Sequence, residues 1–310
     1  TATREDLLAR PVPGTDAGPW LVGTAVEHDL WPLIFRGANA QPPAYLARKG
    51  VTTDLNGVFF VNVLEADKTT AKIQNDPTAG RKANVPKITR VVEGAHVFPL
   101  LRGEDVGVFR AVPADNQAIL VPQRGMHGDP DLPATAPKTY GFLHRFAGLL
   151  ATRSSYRRYQ ANQPIWSTWS TGTYTFAPFK VVWQEMSGGR FCAAYVGSAK
   201  VHAGAPRCVV VPDHKVYFVP LDTEDEAAFL TGVLNASMVR RAISAYATQL
   251  SLGVSVVEYL NIPKYDAADR SHATLATLAR NLNNRGTEPT PVEWVRLERM
   301  VQALLGVRVA

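Results

Sequence analysis

The chain has 310 residues, with 33 basic and 27 acidic side chains for a net charge of +6, and 46% of its residues are hydrophobic. That length can bury a sizeable core without metal or disulfide staples, and a mean hydropathy of -0.08 argues against disorder and against a membrane protein. No run of about 18 apolar residues is present to span a bilayer, and the opening TATREDLLAR mixes charges of both signs, unlike a signal peptide. A cytoplasmic protein is expected, and the initial Thr suggests a chain processed or cut from something longer.

In chain order, residues 1–45 form a Pro- and Gly-rich opening segment with two tryptophans, Trp20 and Trp31, suited to docking a partner. Residues 46–222 read as β-rich. GVFFVNVL and ITRVV are apolar runs of strand length, AILVPQ follows a turn-rich stretch, and residues 126–137 are a loop by composition. One helix is expected over 140–160, because Phe142, Leu143, Phe146, Leu149 and Leu150 fall on a single face. Strand patterns return in TYTFAPFKVVWQEM, RFCAAYVG, CVVVPD and KVYFVPL, with PDHK as a hairpin turn between the last two.

Residues 223–310 read as a helical subdomain. Thr223 and Glu226 match a capping box, and the apolar stripe Phe229, Leu230, Val233, Leu234, Met238 and Ile243 continues that helix. Residues 271–282 form a second candidate helix. Thr290-Pro291-Val292-Glu293 is another capping box with Pro at the first helical position, and Trp294, Leu297, Val301, Leu304 and Leu305 give the last helix its buried face. The expected fold class is α+β: a mixed, β-rich recognition region with an inserted helix, followed by a C-terminal helical bundle.

Catalytic signatures are sparse. Cys192 and Cys208 sit in apolar surroundings and read as structural thiols. The seven histidines form neither an HExxH nor an HxH pair, so no metal site is expected. No Gly-rich dinucleotide loop, Walker A loop or G-x-S-x-G elbow occurs. Gln41-Pro42-Pro43-Ala44 reads as a turn rather than the Asn-Pro-Pro-Tyr of amino-methyltransferases. Asp213-His214-Lys215 fits the Asp-x-Lys half of a PD-(D/E)xK nuclease motif without a convincing upstream acidic partner, and Glu104-Asp105 reads as a solvated turn.

Two stretches point to a polyanion. Residues 138–184 hold Lys138, Arg145, Arg153, Arg157, Arg158 and Lys180 without one Asp or Glu, interleaved with aromatics from Tyr140 to Trp183. Cations without counter-charges attract phosphates, and aromatics stack on bases. The second stretch, ARKGVTTDLNGVFFV from Ala47, presents a basic pair, Gly, two Thr, Asp and Asn before a buried strand. Such a turn offers backbone N–H groups and hydroxyls to a phosphate.

The order of motifs resembles a known family. Gly50-Val51-Thr52-Thr53-Asp54-Leu55-Asn56, led by Arg48-Lys49 and followed by Val58-Phe59-Phe60-Val61, resembles the "G-x-x-T-G-x-N-x-x-F" opening of a target-recognition domain, with Asp54 where Gly is usual. Leu100-Leu101-Arg102-Gly103-Glu104-Asp105-Val106 is similar to "l-l-r-G-k-D-I", and Phe179-Lys180-Val181-Val182-Trp183 to a "p-K-I-v" strand. Residues 229–237 resemble "y-l-l-g-l-L-N-S", residues 260–265 an "i-P-i-P" exit, and residues 301–307 a closing "V-x-x-L-Y-G-l". The family is that of the adenine-N6 DNA methyltransferases of the TaqI/Eco57I type, which includes phage-defence and restriction-modification methylases, and the resemblance spans about residues 45–307.

The resemblance implies a division of labour. The family's catalytic half binds S-adenosylmethionine, flips adenine and methylates its N6; its Asn-Pro-Pro-Tyr motif and Gly-rich cofactor loop are absent from these residues. What remains resembles the specificity half, which grips double-stranded DNA, carries no cofactor of its own, and works with a catalytic domain or subunit. Lys49, Lys87, Arg90, Arg153, Arg157 and Arg158 are the expected phosphate contacts. Arg102 and Lys180 are expected at bases or backbone, and Thr52, Thr53 and Asn56, with Arg48 beside them, at the backbone. A protein-interaction subunit of a defence complex, or less readily a nuclease built on Asp213 and Lys215, is the alternative.

Overall fold

The computed structural model describes residues 6–13, 19–37, 40–185, 191–246 and 253–307. Two sheets organise them. The first has six strands in the order Val211–Pro212, Val97–Leu101, Gln117–Leu120, Phe60–Ala66, Thr70–Asn75 and Thr89–Glu93. The second has four, in the order Ala194–Val196, Phe179–Gln184, Val216–Leu221 and Arg48–Lys49. Pairing within both is antiparallel except where Val211 and Pro212 run parallel to Leu100 and Leu101. With helices concentrated towards the C-terminal end, the fold is α+β.

Strand alternation covers both faces of each sheet. In the six-stranded sheet Val61, Val63, Val97, Ala118 and Leu120 pack towards Phe142, Leu143, Phe146 and Leu150. Phe60, Phe98, Leu100 and Ile119 point the other way, towards Val51 and Val211. In the four-stranded sheet Val181 and Trp183 face the helices, whereas Val182 joins Leu101, Val106 and Phe218. The largest core draws on all three expected segments: Val12, Leu21, Trp31 and Phe35, then Trp183 and Phe191, then Phe229, Leu275 and Leu297.

Several expectations are corrected. The stretch 140–160 is three short helices, Pro137–His144, Ala147–Ala151 and Ser154–Tyr159, not one. Its apolar face is nonetheless buried. Gly141 and Gly148 weaken a continuous helix, and Arg153 adopts extended backbone between the last two pieces. PDHK is not a hairpin turn: Val211–Pro212 belongs to the six-stranded sheet and Val216–Leu221 to the four-stranded one, so the turn carries the chain from one sheet to the other. Trp31 is buried and offers nothing to a partner, whereas Trp20 is exposed.

The C-terminal helices are Glu224–Asn235, Ser237–Tyr246, Arg270–Arg285 and Pro291–Leu304. Thr223 caps the first by accepting from the Glu226 N–H, but the Glu226 carboxylate turns to Lys264 instead of closing the box. The expected stripe through Ile243 breaks at extended Ala236, and Glu298 caps the next helix by accepting from the Ser237 and Met238 N–H groups. Thr290 and Glu293 form the full box. Two residues of the 229–237 motif have structural tasks. Gly232 lets the helix approach Leu275 and Ala279, which a Cβ would crowd at 3.1 Å. The buried Asn235 side chain clamps Ala193, accepting from its N–H at 3.0 Å and donating to its carbonyl at 2.7 Å.

Candidate functional site

The 48–56 turn is the centre of the site. Arg48 and Lys49 add an edge to the four-stranded sheet by pairing with Phe218 and Tyr217. Gly50 then passes so close to the Asp213 backbone that no side chain fits there. Val51 bridges Asp213, and Thr52 bridges Trp169 through two backbone hydrogen bonds of 2.8 and 2.9 Å. The buried Thr53 hydroxyl donates to Asn56 Oδ1 at 2.6 Å and accepts from the Leu55 N–H. Asp54 sits at φ 53°, the left-handed region, which explains physically why Gly suits this position and why Asp is tolerated in its place.

A groove of about 770 Å³ opens beside this turn. Thr52, Asp54 and Asn56 line one wall, Thr78, Arg81 and Lys82 another, and His214 and Lys215 the third. Its lining carries three cations, Arg81, Lys82 and Lys215, against one carboxylate, Asp54. Buried Asn75 staples two walls together, donating to the Gly57 and Pro86 carbonyls at 2.7 and 3.0 Å and accepting from the Ile88 N–H. Lys82 reaches across to the Thr152 hydroxyl, and the Asp54 carboxylate accepts from the Ser155 N–H at 3.0 Å, so the helix Ser154–Tyr159 joins the rim. Arg157, Arg158 and Tyr159 on it are exposed or nearly so.

Charge beneath the groove is balanced. Glu185 accepts from Lys49 at 3.2 Å and from Lys215 at 2.7 Å. Burial pushes the Glu185 carboxyl up, but the two ammonium groups outweigh it and hold it below the usual carboxylate range. Burial raises Asp213 to about 6, against the opposing pull of the Lys215 N–H and of Arg102 and Lys215. Burial, with Lys215 and Lys49 nearby, lowers His214 below the usual imidazole range. Both Glu185 oxygens are thus occupied by lysines, and among the described residues no group of three His, Cys, Asp or Glu side chains is arranged for a metal ion.

The predicted residues fall into three sets. Thr52 and Asn56 line the groove, Arg157 and Arg158 lie on the helix that joins its rim, and Arg48 and Lys49 lie on the strand that leads into the turn. Arg48 lies 5.1 Å over the Tyr174 ring and Arg158 5.2 Å over Tyr159. Lys87 and Arg90 are exposed at the six-stranded sheet, and Arg102 pairs with Glu104 at 2.8 Å. Two are corrected. Arg153 is buried, donating to the carbonyls of Leu150, Thr53 and Ile165, so it ties the turn to the basic helix and is withdrawn from contact with a ligand. Lys180 is 0% exposed, its Nζ donating to the Ala177 carbonyl at 2.8 Å, and burial lowers it to about 7. It is enclosed by protein and reaches no ligand. Thr53 likewise shapes the turn from within.

Arg81, Lys82 and Lys215 were not expected as groove cations. Gly80-Arg81-Lys82 is visible in the sequence as a basic pair after a Gly, but only the fold brings it opposite the 52–56 turn. Cys192 and Cys208 are free and half-buried, and burial raises both thiols, Cys208 to about 11. Among the described residues no helix is long and apolar enough to cross a membrane.

Comparison with known proteins adds a relative. Over 152 residues the chain is 30% identical to the Type II methyltransferase M.NspV of Nostoc sp. (strain ATCC 29411 / PCC 7524). The match takes in 48% of this chain and 29% of that protein. Among solved structures the chain is similar to the Type IIL restriction-modification enzyme MmeI in complex with DNA, with a TM-score of 0.49 and 10% identity, over 87% of this chain and 34% of that one. The chain therefore spans about a third or less of each protein. No family model matches it.

Proposed function

We propose that this chain is the DNA-recognition part of an adenine-N6 methyltransferase of the TaqI/Eco57I type, in a restriction-modification or phage-defence setting. The observation that carries the reading is the convergence of the 52–56 turn, Arg81, Lys82 and Lys215 on one groove, flanked by Arg157 and Arg158. Arg81, Lys82, Arg157 and Arg158 form no ion pair among the described residues, and Lys215 shares Glu185 with Lys49, so positive charge is in excess for a phosphate backbone, while hydroxyls and amides on a fixed turn set the register. The 30% match to a Type II methyltransferase supports DNA as the ligand of the chain.

Methyl transfer needs S-adenosylmethionine, and the described residues do not fit it. The sheets are antiparallel but for one short pair, with no parallel strand–Gly loop–helix crossover to cradle the cofactor. On this reading, cofactor and chemistry belong to a catalytic domain or subunit outside these residues. The test is binding of this chain to a randomised duplex pool across a salt series, with the retained fraction sequenced. Steep salt dependence with an enriched short motif is expected. Absence of binding at low salt overturns the reading.

A further inference from the structure

Of the aromatics in the 138–184 stretch, Phe142, Phe146 and Trp183 are buried and Tyr140, Tyr156, Trp166, Tyr174, Phe176 and Phe179 half-buried. Two are exposed. Tyr159 is 57% exposed and Trp169 40%, and their rings lie 5.3 Å apart at 33°. Tyr159 ends the basic helix, and the Arg158 guanidinium lies over its ring at 5.2 Å. Trp169 stands at the lip of the groove, because its backbone is bridged to Thr52.

The loop that presents Trp169 is rigid. Gln123, 2% exposed, accepts from the Thr168 N–H at 2.7 Å and donates back to the Thr168 carbonyl. The Thr168 and Thr171 hydroxyls bond at 2.8 Å, and the Ser167 hydroxyl accepts from the Gly128 N–H. Ser170 is held at φ 54° in the left-handed region, a cost tolerated where surrounding bonds over-determine the backbone. A buried polar network thus holds a large indole in water, next to cations.

From this geometry we infer that Tyr159 and Trp169 form a stacking platform for a nucleobase that has lost a stacking neighbour in the bound DNA. The inference rests on the DNA-recognition reading and deepens it. An exposed indole backed by a tilted tyrosine ring, itself covered by an arginine, matches the face of a base, and the surrounding cations match its phosphates. A protein partner is the lesser fit, since the rim offers guanidinium and ammonium groups around the two rings.

The test compares two duplexes of one sequence, one fully paired and one with a central single-nucleotide bulge, bound to the 310-residue chain at fixed salt. The wild type is expected to hold the bulged duplex about tenfold more tightly, the scale of one base–aromatic stack. Trp169→Ala should abolish that preference, and Trp169→Phe should restore most of it because the ring returns. Equal affinity for the two duplexes, or a Trp169→Ala loss of equal size on both, overturns the platform while leaving DNA recognition standing. No binding of either duplex at low salt overturns both readings together.

Discussion

The groove rim and the C-terminal helices use the same residue types to opposite ends. On the helices Arg280 meets Asp225, Lys264 meets Glu226, Arg285 meets Glu293 and Arg241 meets Glu27. At the rim Arg81, Arg157 and Arg158 form no ion pair among the described residues, and the buried polar side chains Asn75, Gln123 and Thr168 fix loops rather than helices. Paired cations in a packed region are part of the scaffold. Unpaired cations on rigidly held loops are available to a ligand.

The largest expected effect breaks the scaffold side. Asn235→Ala leaves the buried Ala193 N–H without a partner and its carbonyl with the Phe109 N–H alone, and about 2 kcal/mol of stability should be lost in denaturant unfolding. Lys180 sharpens the comparison next. Burial places its ammonium at about 7, against 10.5 unfolded, so between those values the unfolded chain holds the extra proton. Above the unfolded value both states are neutral and the penalty vanishes; the destabilisation grows as pH falls from 10 towards 7 and levels off below. Stability should therefore rise as pH climbs from 7 to 10. Lys180→Met should remove that rise and stabilise the protein at pH 7 by about 2 kcal/mol. DNA binding by the variant should match the wild type; weaker binding would return Lys180 to the ligand-contacting set.

How much is legible in advance follows from what sequence encodes locally. The last helix is readable because Thr290, Pro291 and Glu293 are a local signal and the box forms as written. The 48–56 turn is readable because Gly50, Thr53 and Asn56 serve needs close by in the chain or on one neighbouring strand. The apolar face of 140–160 is also right, although the helix breaks at Arg145–Phe146 and again at extended Arg153. What fails is non-local. Arg153 and Lys180 look like surface cations until the Thr53, Ile165 and Ala177 carbonyls close around them. PDHK has the composition of a hairpin, and only the sheet order shows that its flanking strands part company. Arg81 gains meaning solely by standing across a groove from Thr52.

On the rim, removal of charge should leave stability alone and weaken binding. Arg157→Ala with Arg158→Ala takes two cations from one helix. Affinity for duplex DNA should fall about tenfold, and the slope of log affinity against log salt should flatten by about 2, near 0.9 for each phosphate that is no longer neutralised. Unchanged slope with weaker binding would mean that the two arginines act on bases or on the fold. The same double change made at Arg296 and Arg299 should leave the slope as it was, since those cations line a separate hollow on the last helix, with Val292, Val295 and Met300, and take no part in the groove.

The smallest effect is the most local. Asp54 supplies the one carboxylate of the groove lining and caps Ser155 from the left-handed region. Asn is at home in that backbone conformation and keeps an oxygen for the Ser155 N–H. Asp54→Asn should therefore leave stability unchanged, and removing a negative charge beside three cations should tighten duplex binding about threefold at low salt, with the gain shrinking as salt is added. Asp54→Gly relaxes the backbone but gives up the cap, so the affinity gain should come with a looser basic helix, visible as faster amide exchange at Ser155. If Asp54→Asn instead changes the enriched motif at one position while affinity for its new best site stays level, the carboxylate is reading a base, since it can accept from a cytosine amino group. If neither affinity nor motif moves, the duplex does not enter this groove, and the phosphate track must run along Arg157 and Arg158 alone.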